Sequence, residues 1–375
     1  MADGTSQERA GKPARLRAVL VLGTATGGVG VHVRSLARGL VARGVAVTVA
    51  GPSAAEEHFE FARTGARFVP VEVSAGSRPT GRAALRALRE ACADAHVVHA
   101  HGLRAGLAAA SVIGRRPGRT PLVLTLHNAV LATGPKAVLA RMMEARAVRA
   151  ADVVLGASSD LVDRARGLGA ADARLGPVGA PAPAARRDRS AVRAELTVGA
   201  RPVVLAVGRL APQKAYPVLL DAAAKWKALA EAPIVLIAGD GPLRDELQAR
   251  IDAEDLPVRL LGHRGDVADL FAAADIAVLP SHWEARCLVA QEALSMGVPL
   301  VSTAVGGIPE LVGDAAELVP YGDADALAEA VAALLADPGR RAALAEAGRA
   351  QALTWPDEND TVAQVLSVYE ELGPR

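Results

Sequence analysis

Residues 203–214 read VVLAVGRLAPQK, and residues 280–299 read PSHWEARCLVAQEALSMGVP. The first stretch opens with five apolar residues, too few for a helix, and breaks at Gly208. Two cations follow, Arg209 and Lys214, five positions apart. The second stretch carries two acids eight positions apart, Glu284 and Glu292, around the start of a helical pattern over 288–296. Gly297 and Pro299 end that pattern. Strand, turn and helix in this order form the repeating unit of a parallel sheet with crossover connections.

The unit recurs on both sides of these stretches. In the back half, short apolar runs at 203–207, 234–238, 258–261, 276–279 and 300–303 each lead into a turn and a helical pattern. In the front half, runs at 17–23, 45–50, 66–73, 96–100, 122–126 and 152–156 alternate with helical patterns such as 29–43, 82–93 and 136–150. Between the halves, residues 177–189 (PVGAPAPAARRDR) have no period and are rich in Pro, Ala and charge. The reading is α/β, with two doubly wound, Rossmann-like domains. A disordered tail over 1–14 precedes a first domain over 15–178. A linker over 179–201 leads to a second domain over 202–354, and residues 355–375 form a final helix, about 358–372.

A chain of 375 residues suits two domains. Hydrophobic residues make up 51% but aromatics only 3%, so the cores are built from Ala, Val and Leu. Two cysteines, Cys92 and Cys287, are too few for a disulfide framework and fit a reducing compartment. The first residues lack the apolar core of a signal peptide, and no apolar run nears the roughly 18 residues of a membrane span. A cytoplasmic protein is expected. Residues 1–180 hold 24 Lys and Arg against 13 Asp and Glu, and the remainder reverses the balance. The basic half faces either solvent or an anionic membrane surface, through Arg78, Arg82, Arg86, Arg89, Arg115, Arg116 and Arg119. Nothing points to nucleic acid.

Arg209 and Lys214 lie beyond the carboxyl end of a strand, where open α/β sheets bind ligands. With 37 arginines and five lysines in the chain, a lysine here runs against composition. Two cations suit a diphosphate and stabilise its departure without a metal; two solvated loop cations are the plainer reading. Glu284 falls in the loop before the helix and Glu292 inside it, where a carboxylate suits a ribose diol. The amides of Cys287, Leu288 and Val289 then belong to a helix N-terminus beside the phosphate. Cys287 is either a reactive thiol or a small filler. Arg264, in Gly262-His263-Arg264, is placed to stack on a base. The cluster from Gly23 to Gly30 joins a strand to a helix without dinucleotide-binding spacing, so Gly27 and Gly28 allow close approach of a ligand or merely a tight turn. His127 ends a strand and suits a hydroxyl or phosphate contact, or simple packing. The pair His99 and His101 invites a metal, but no third ligand of suitable spacing stands nearby in sequence, so no metal is assigned.

With these residues the chain resembles the retaining glycosyltransferases of the GT-B fold, family 4 (GT4). The likeness shows in GGVGVHVRSLARGL, VVHAHG, LTLHN, VGRLAPQK, IAGDGPL, DVADLFAAADIAVLPSHWEARCLVAQEA and GVPLVSTAVGGIPELV. The family's E-x7-E pattern falls on Glu284 and Glu292, its diphosphate-binding pair on Arg209 and Lys214, its active-site histidine on His127 and its glycine loop on Gly27 and Gly28. The resemblance implies two domains facing across a cleft, a nucleotide-diphosphate sugar as donor, a hydroxyl acceptor and retained anomeric configuration. It implies no cofactor and no obligatory metal, and a last helix that crosses back to the first domain. Two departures stand out. Ala215 follows the motif lysine where glycine is common, and Glu284-Ala285-Arg286 replaces Glu-Gly-Phe, which brings Arg286 to the sugar side. An epimerase or hydrolase acting on the nucleotide sugar, and a non-catalytic binder, are the alternatives.

Overall fold

The structure is a computed structural model that describes residues 15–23, 27–73, 80–114, 116–131, 134–176, 178–179 and 184–373. The expected tail over 1–14, together with Arg78 and Arg115, lies outside the described residues. Among them no helix is long and apolar enough to cross a membrane.

Two parallel sheets form. The first has β1 (Arg17–Leu22), β2 (Ala46–Gly51), β3 (Arg67–Pro70), β4 (Val97–His101), β5 (Leu122–Leu126), β6 (Val153–Gly156) and β7 (Ala173–Leu175), in the order β3-β2-β1-β4-β5-β6-β7. The second has β8 (Val203–Val207), β9 (Ile234–Ala238), β10 (Val258–Gly262), β11 (Ile276–Leu279), β12 (Leu300–Thr303) and β13 (Glu317–Val319), in the order β10-β9-β8-β11-β12-β13. Each strand order reverses beside its first strand, between β1 and β4 and between β8 and β11, which opens a crevice at the carboxyl ends. Central strands such as β4, β5, β8 and β9 are buried throughout, because helices cover both faces.

β7 and β13 are absent from the sequence reading. Each has three residues at a sheet edge and is largely half-buried, so neither shows an apolar run. The stretch 179–201, expected as linker, contains a helix, Arg189–Glu195. Asp188 caps it by accepting from the Ala191 N–H, and Val192 and Leu196 enter the second core. Its arginines hide the signal: Arg189 and Arg193 both reach Asp275, at 2.5 and 3.3 Å.

The last helix, Glu358–Leu372, packs on the first sheet's helix Gly28–Ala42. Val362, Val365, Val368 and Tyr369 complete the core around Leu20, Leu36 and Leu40. Glu358 accepts hydrogen bonds from Ser35 and Arg38, and Arg174 holds Glu371 at 2.8 Å. The chain thus crosses between its two halves twice.

Candidate active site

A cavity of about 700 Å³ lies between the carboxyl ends of the two sheets, a size suited to a small ligand. Gly27, Gly28 and His127 line it from the first sheet. Arg209, Lys214, Arg264, Glu284 and Arg286 line it from the second, with Cys287, Leu288 and Val289. Glu292 is the one predicted residue outside the lining; it sits half-buried, a turn into the helix Leu288–Ser295.

On the second sheet's side the turn after β8 carries both cations. Arg209 is exposed, and its guanidinium makes no ion pair among the described residues. Lys214 ends a short 3-10 turn, Pro212–Lys214. Its Nζ donates to Glu284 Oε1 at 2.5 Å, with the two side chains 18% and 9% exposed. Burial pulls the Lys214 pKa down, but the Glu284 carboxylate outweighs it and holds the ammonium charged. Ala215 takes the left-handed conformation (φ 49°), so the turn keeps the backbone shape of the expected glycine and bears its Cβ.

Glu284 is fixed from behind by Gly306 and Gly307. The Gly307 N–H donates to the Glu284 carbonyl at 2.9 Å. A Cβ on Gly306, whose φ is +52°, would lie 2.0 Å from that same oxygen, so this close approach requires glycine. Burial drives the Cys287 thiol up to about 12, with Glu284 adding to the shift, so the thiol is un-ionised and unreactive at neutral pH. Burial also raises the Glu292 carboxyl to about 7. Arg264 is tied to Asp266 and Glu195 at 2.6 and 3.0 Å. Arg286 donates from Nε to the Val178 carbonyl at 3.0 Å, and its buried Nη2 has no partner among the described residues.

On the first sheet's side, Gly28 meets the second: a Cβ there would stand 3.0 Å from Leu288. Residues 24–26 of the glycine cluster lie outside the described residues. His127 is buried and close to His101, with Nε2 of the first 3.1 Å from Nδ1 of the second. The structure corrects the search for a third histidine. His32, on the helix Gly28–Ala42, brings its ring within 5.5 Å of His101 and 5.3 Å of His127. No local spacing links it to them. Burial lowers the pKa of all three, to about 4 for His32. His99 is a structural residue: one ring nitrogen lies 2.7 Å from the Tyr369 hydroxyl and the other 2.6 Å from Thr125 Oγ1.

Sequence reasoning missed His58 and Gln213. His58 and His263 line the cavity from opposite sheets, ring centroids 6.2 Å apart. Gln213 donates to the Trp283 carbonyl at 2.8 Å, joining the cation turn to the Glu284 loop.

Two facing doubly wound sheets, with cations and a carboxylate converging at the switch point of the second, define the GT-B class. Residues 27–181 match the family described as glycosyl transferase 4-like domain, and residues 188–351 match glycosyl transferases group 1. The chain is 32% identical over 361 residues to 2-deoxystreptamine N-acetyl-D-glucosaminyltransferase of Streptomyces fradiae, covering 84% of each chain. It is 38% identical over 202 residues to D-inositol 3-phosphate glycosyltransferase of Saccharomonospora viridis, covering 49% of this chain and 46% of that one. Its fold superposes on Anabaena Alr3699/HepE, solved with UDP and glucose, with a TM-score of 0.81, 22% identity, and coverage of 95% of this chain and 100% of that one. The protein belongs to the GT4 family of glycosyltransferases.

Proposed function

We propose that the protein transfers a hexose-type sugar from a nucleotide-diphosphate donor to a hydroxyl acceptor, with retained configuration and without a metal. The observation that carries this reading is the Lys214–Glu284 pair beside an unpaired Arg209 on one wall of the cleft. In the empty site the pair leaves neither buried charge alone. A diphosphate supplies Lys214 with a stronger anion and frees Glu284 to accept from sugar hydroxyls. Arg209 and Lys214 then neutralise the leaving group, Glu292 holds the ribose, and His127 contacts the reacting sugar.

The relatives' names specify D-inositol 3-phosphate and 2-deoxystreptamine as acceptors. Both are carbon rings bearing hydroxyls, and we take a ring of that kind as the acceptor here. Losing one leaving-group cation should lower turnover by about 100-fold or more. Steady-state transfer assays on Arg209→Ala and Lys214→Ala, with added EDTA in every arm, test this. Unchanged turnover in both variants, or rapid donor breakdown without acceptor, defeats the reading.

A cytoplasmic location with peripheral contact to an anionic membrane completes the proposal. The exposed residues that support it differ from the sequence candidates. Arg82, Arg86 and Arg89 are exposed on the helix Arg82–Cys92, but Arg119 is occupied by Asp152 at 2.8 Å. Val138, Leu139 and Met142 stand exposed on the helix Pro135–Val148, beside Arg141 and Arg146. Apolar side chains flanked by cations fit a headgroup boundary.

A further inference from the structure

We propose that His32, His101 and His127 together bind one transition-metal dication of the zinc class, and that its binding inhibits transfer by occupying the His127 nitrogen that would otherwise meet the sugar. The inhibitory half rests on the role given to His127 above; the binding half does not.

Three elements converge to make the site. His32 comes from the helix after β1, His101 is the last residue of β4, and His127 follows β5. Their ring centroids form a near-equilateral triangle with sides of 5.3, 5.4 and 5.5 Å. One ring nitrogen from each lies within 4.8 Å of the other two. His101 Nδ1 and His127 Nε2 are already 3.1 Å apart. Two nitrogens bound to tetrahedral zinc at about 2.0–2.1 Å stand about 3.4 Å from each other, close to the spacing already present here.

The hydrogen bonding of the cluster is incomplete. His101 is 3% exposed, yet its Nε2 has no partner among the described residues. The orphan is not the nitrogen that faces His127, and it leaves the His101 ring with no hydrogen bond fixing its other side among the described residues. His99, next in line on β4, is excluded because both its nitrogens are bound to hydroxyls.

Three imidazoles without a carboxylate favour zinc, nickel or copper over magnesium, calcium or manganese. His127 lines the cavity, so its ring is reached from the cleft. A nitrogen bound to the ion no longer donates to, or accepts from, a sugar.

The test uses the full chain, freed of metal with EDTA and desalted. Titration with Co²⁺ should give visible ligand-field absorption that saturates at one equivalent and is displaced by Zn²⁺. His32→Gln and His101→Gln should each abolish it, with their folding checked by circular-dichroism melting in metal-free buffer. In transfer assays, one equivalent of Zn²⁺ should suppress the wild-type rate, and EDTA should restore it. Mg²⁺ should have no such effect. His32→Gln should keep the metal-free rate and lose the inhibition at one equivalent of Zn²⁺. Absorption that never saturates, or that persists in both variants, overturns the site. Zn²⁺ that binds without slowing transfer, or slows wild type and His32→Gln equally, overturns the inhibitory half. A chain that transfers no sugar under any condition refutes the proposed function, and the Co²⁺ titration alone then decides the site.

Discussion

Lys214 and Glu284 meet from positions 70 residues apart and shield each other in the wall of the cleft. Removing either partner strands a mostly buried charge, at a cost of about 3 kcal/mol. Removing both strands none. A double-mutant cycle over Lys214→Ala and Glu284→Ala should therefore show strong coupling in denaturant unfolding, with the double variant more stable than the summed singles. Glu292 yields a second prediction. Its carboxyl is raised to about 7 by burial, so the folded chain keeps a proton that the unfolded chain releases near 4.5. Stability from this group therefore falls as pH rises from about 4.5 to about 7. Glu292→Gln should flatten that slope and raise the melting temperature above pH 7, while weakening donor binding; melts across that range, with and without donor, check both. The cations and the two acids were legible as residue types at fixed spacings. Their partners were not, because the pairing of Lys214 with Glu284 and the arrival of His32 depend on how separate elements pack.

Strands and helices were legible where burial is complete on both faces or where one stripe is apolar. β5, β8, β9, β11 and β12 begin and end where their apolar runs do. β7, β13 and the helix Arg189–Glu195 escaped because short edge elements bury too little to leave a pattern. Contacts between helices were equally silent. Gly39 reads as an ordinary helix interruption, yet a Cβ there would lie 2.5 Å from Val362 on the last helix. Gly39→Val should push that helix outward and destabilise the protein by about 1–3 kcal/mol, measured by thermal or chemical unfolding. The loss is expected in spite of valine's smaller backbone entropy, because the clash is with a packed neighbour.

At the scale of the molecule, the division into basic and acidic halves was plain in the sequence, and so was the repetition of one architecture. How the halves engage was not. Trp283 Nε1 donates to Asp160 at 3.0 Å, and the Ser159 N–H donates to Glu310 at 3.0 Å, so side chains of the second half dock at the amino end of the first half's helix Ser159–Gly167. The exposed apolar side chains of the helix Pro135–Val148 were not legible either, because apolar residues in a helical pattern read as core until packing leaves them uncovered. Co-sedimentation with anionic vesicles at low salt should be strong for the native chain and fall as salt rises. Replacing Val138, Leu139 and Met142 by serine should reduce it while leaving transfer to a water-soluble acceptor intact. Equal sedimentation of native and substituted chains would place the contact elsewhere.

The final helix also dictates an order of events during synthesis. A ribosome releases the amino end first, so strands β1 and β2 and the helix after β1 emerge long before residues 358–372. Until those residues appear, Leu36 and Leu40 have only their neighbours in the opening half, such as Leu20, Val47 and Phe61, and the places of Val362, Val365, Val368 and Tyr369 stand open. The opening half of the polypeptide therefore completes its core only when its closing residues arrive.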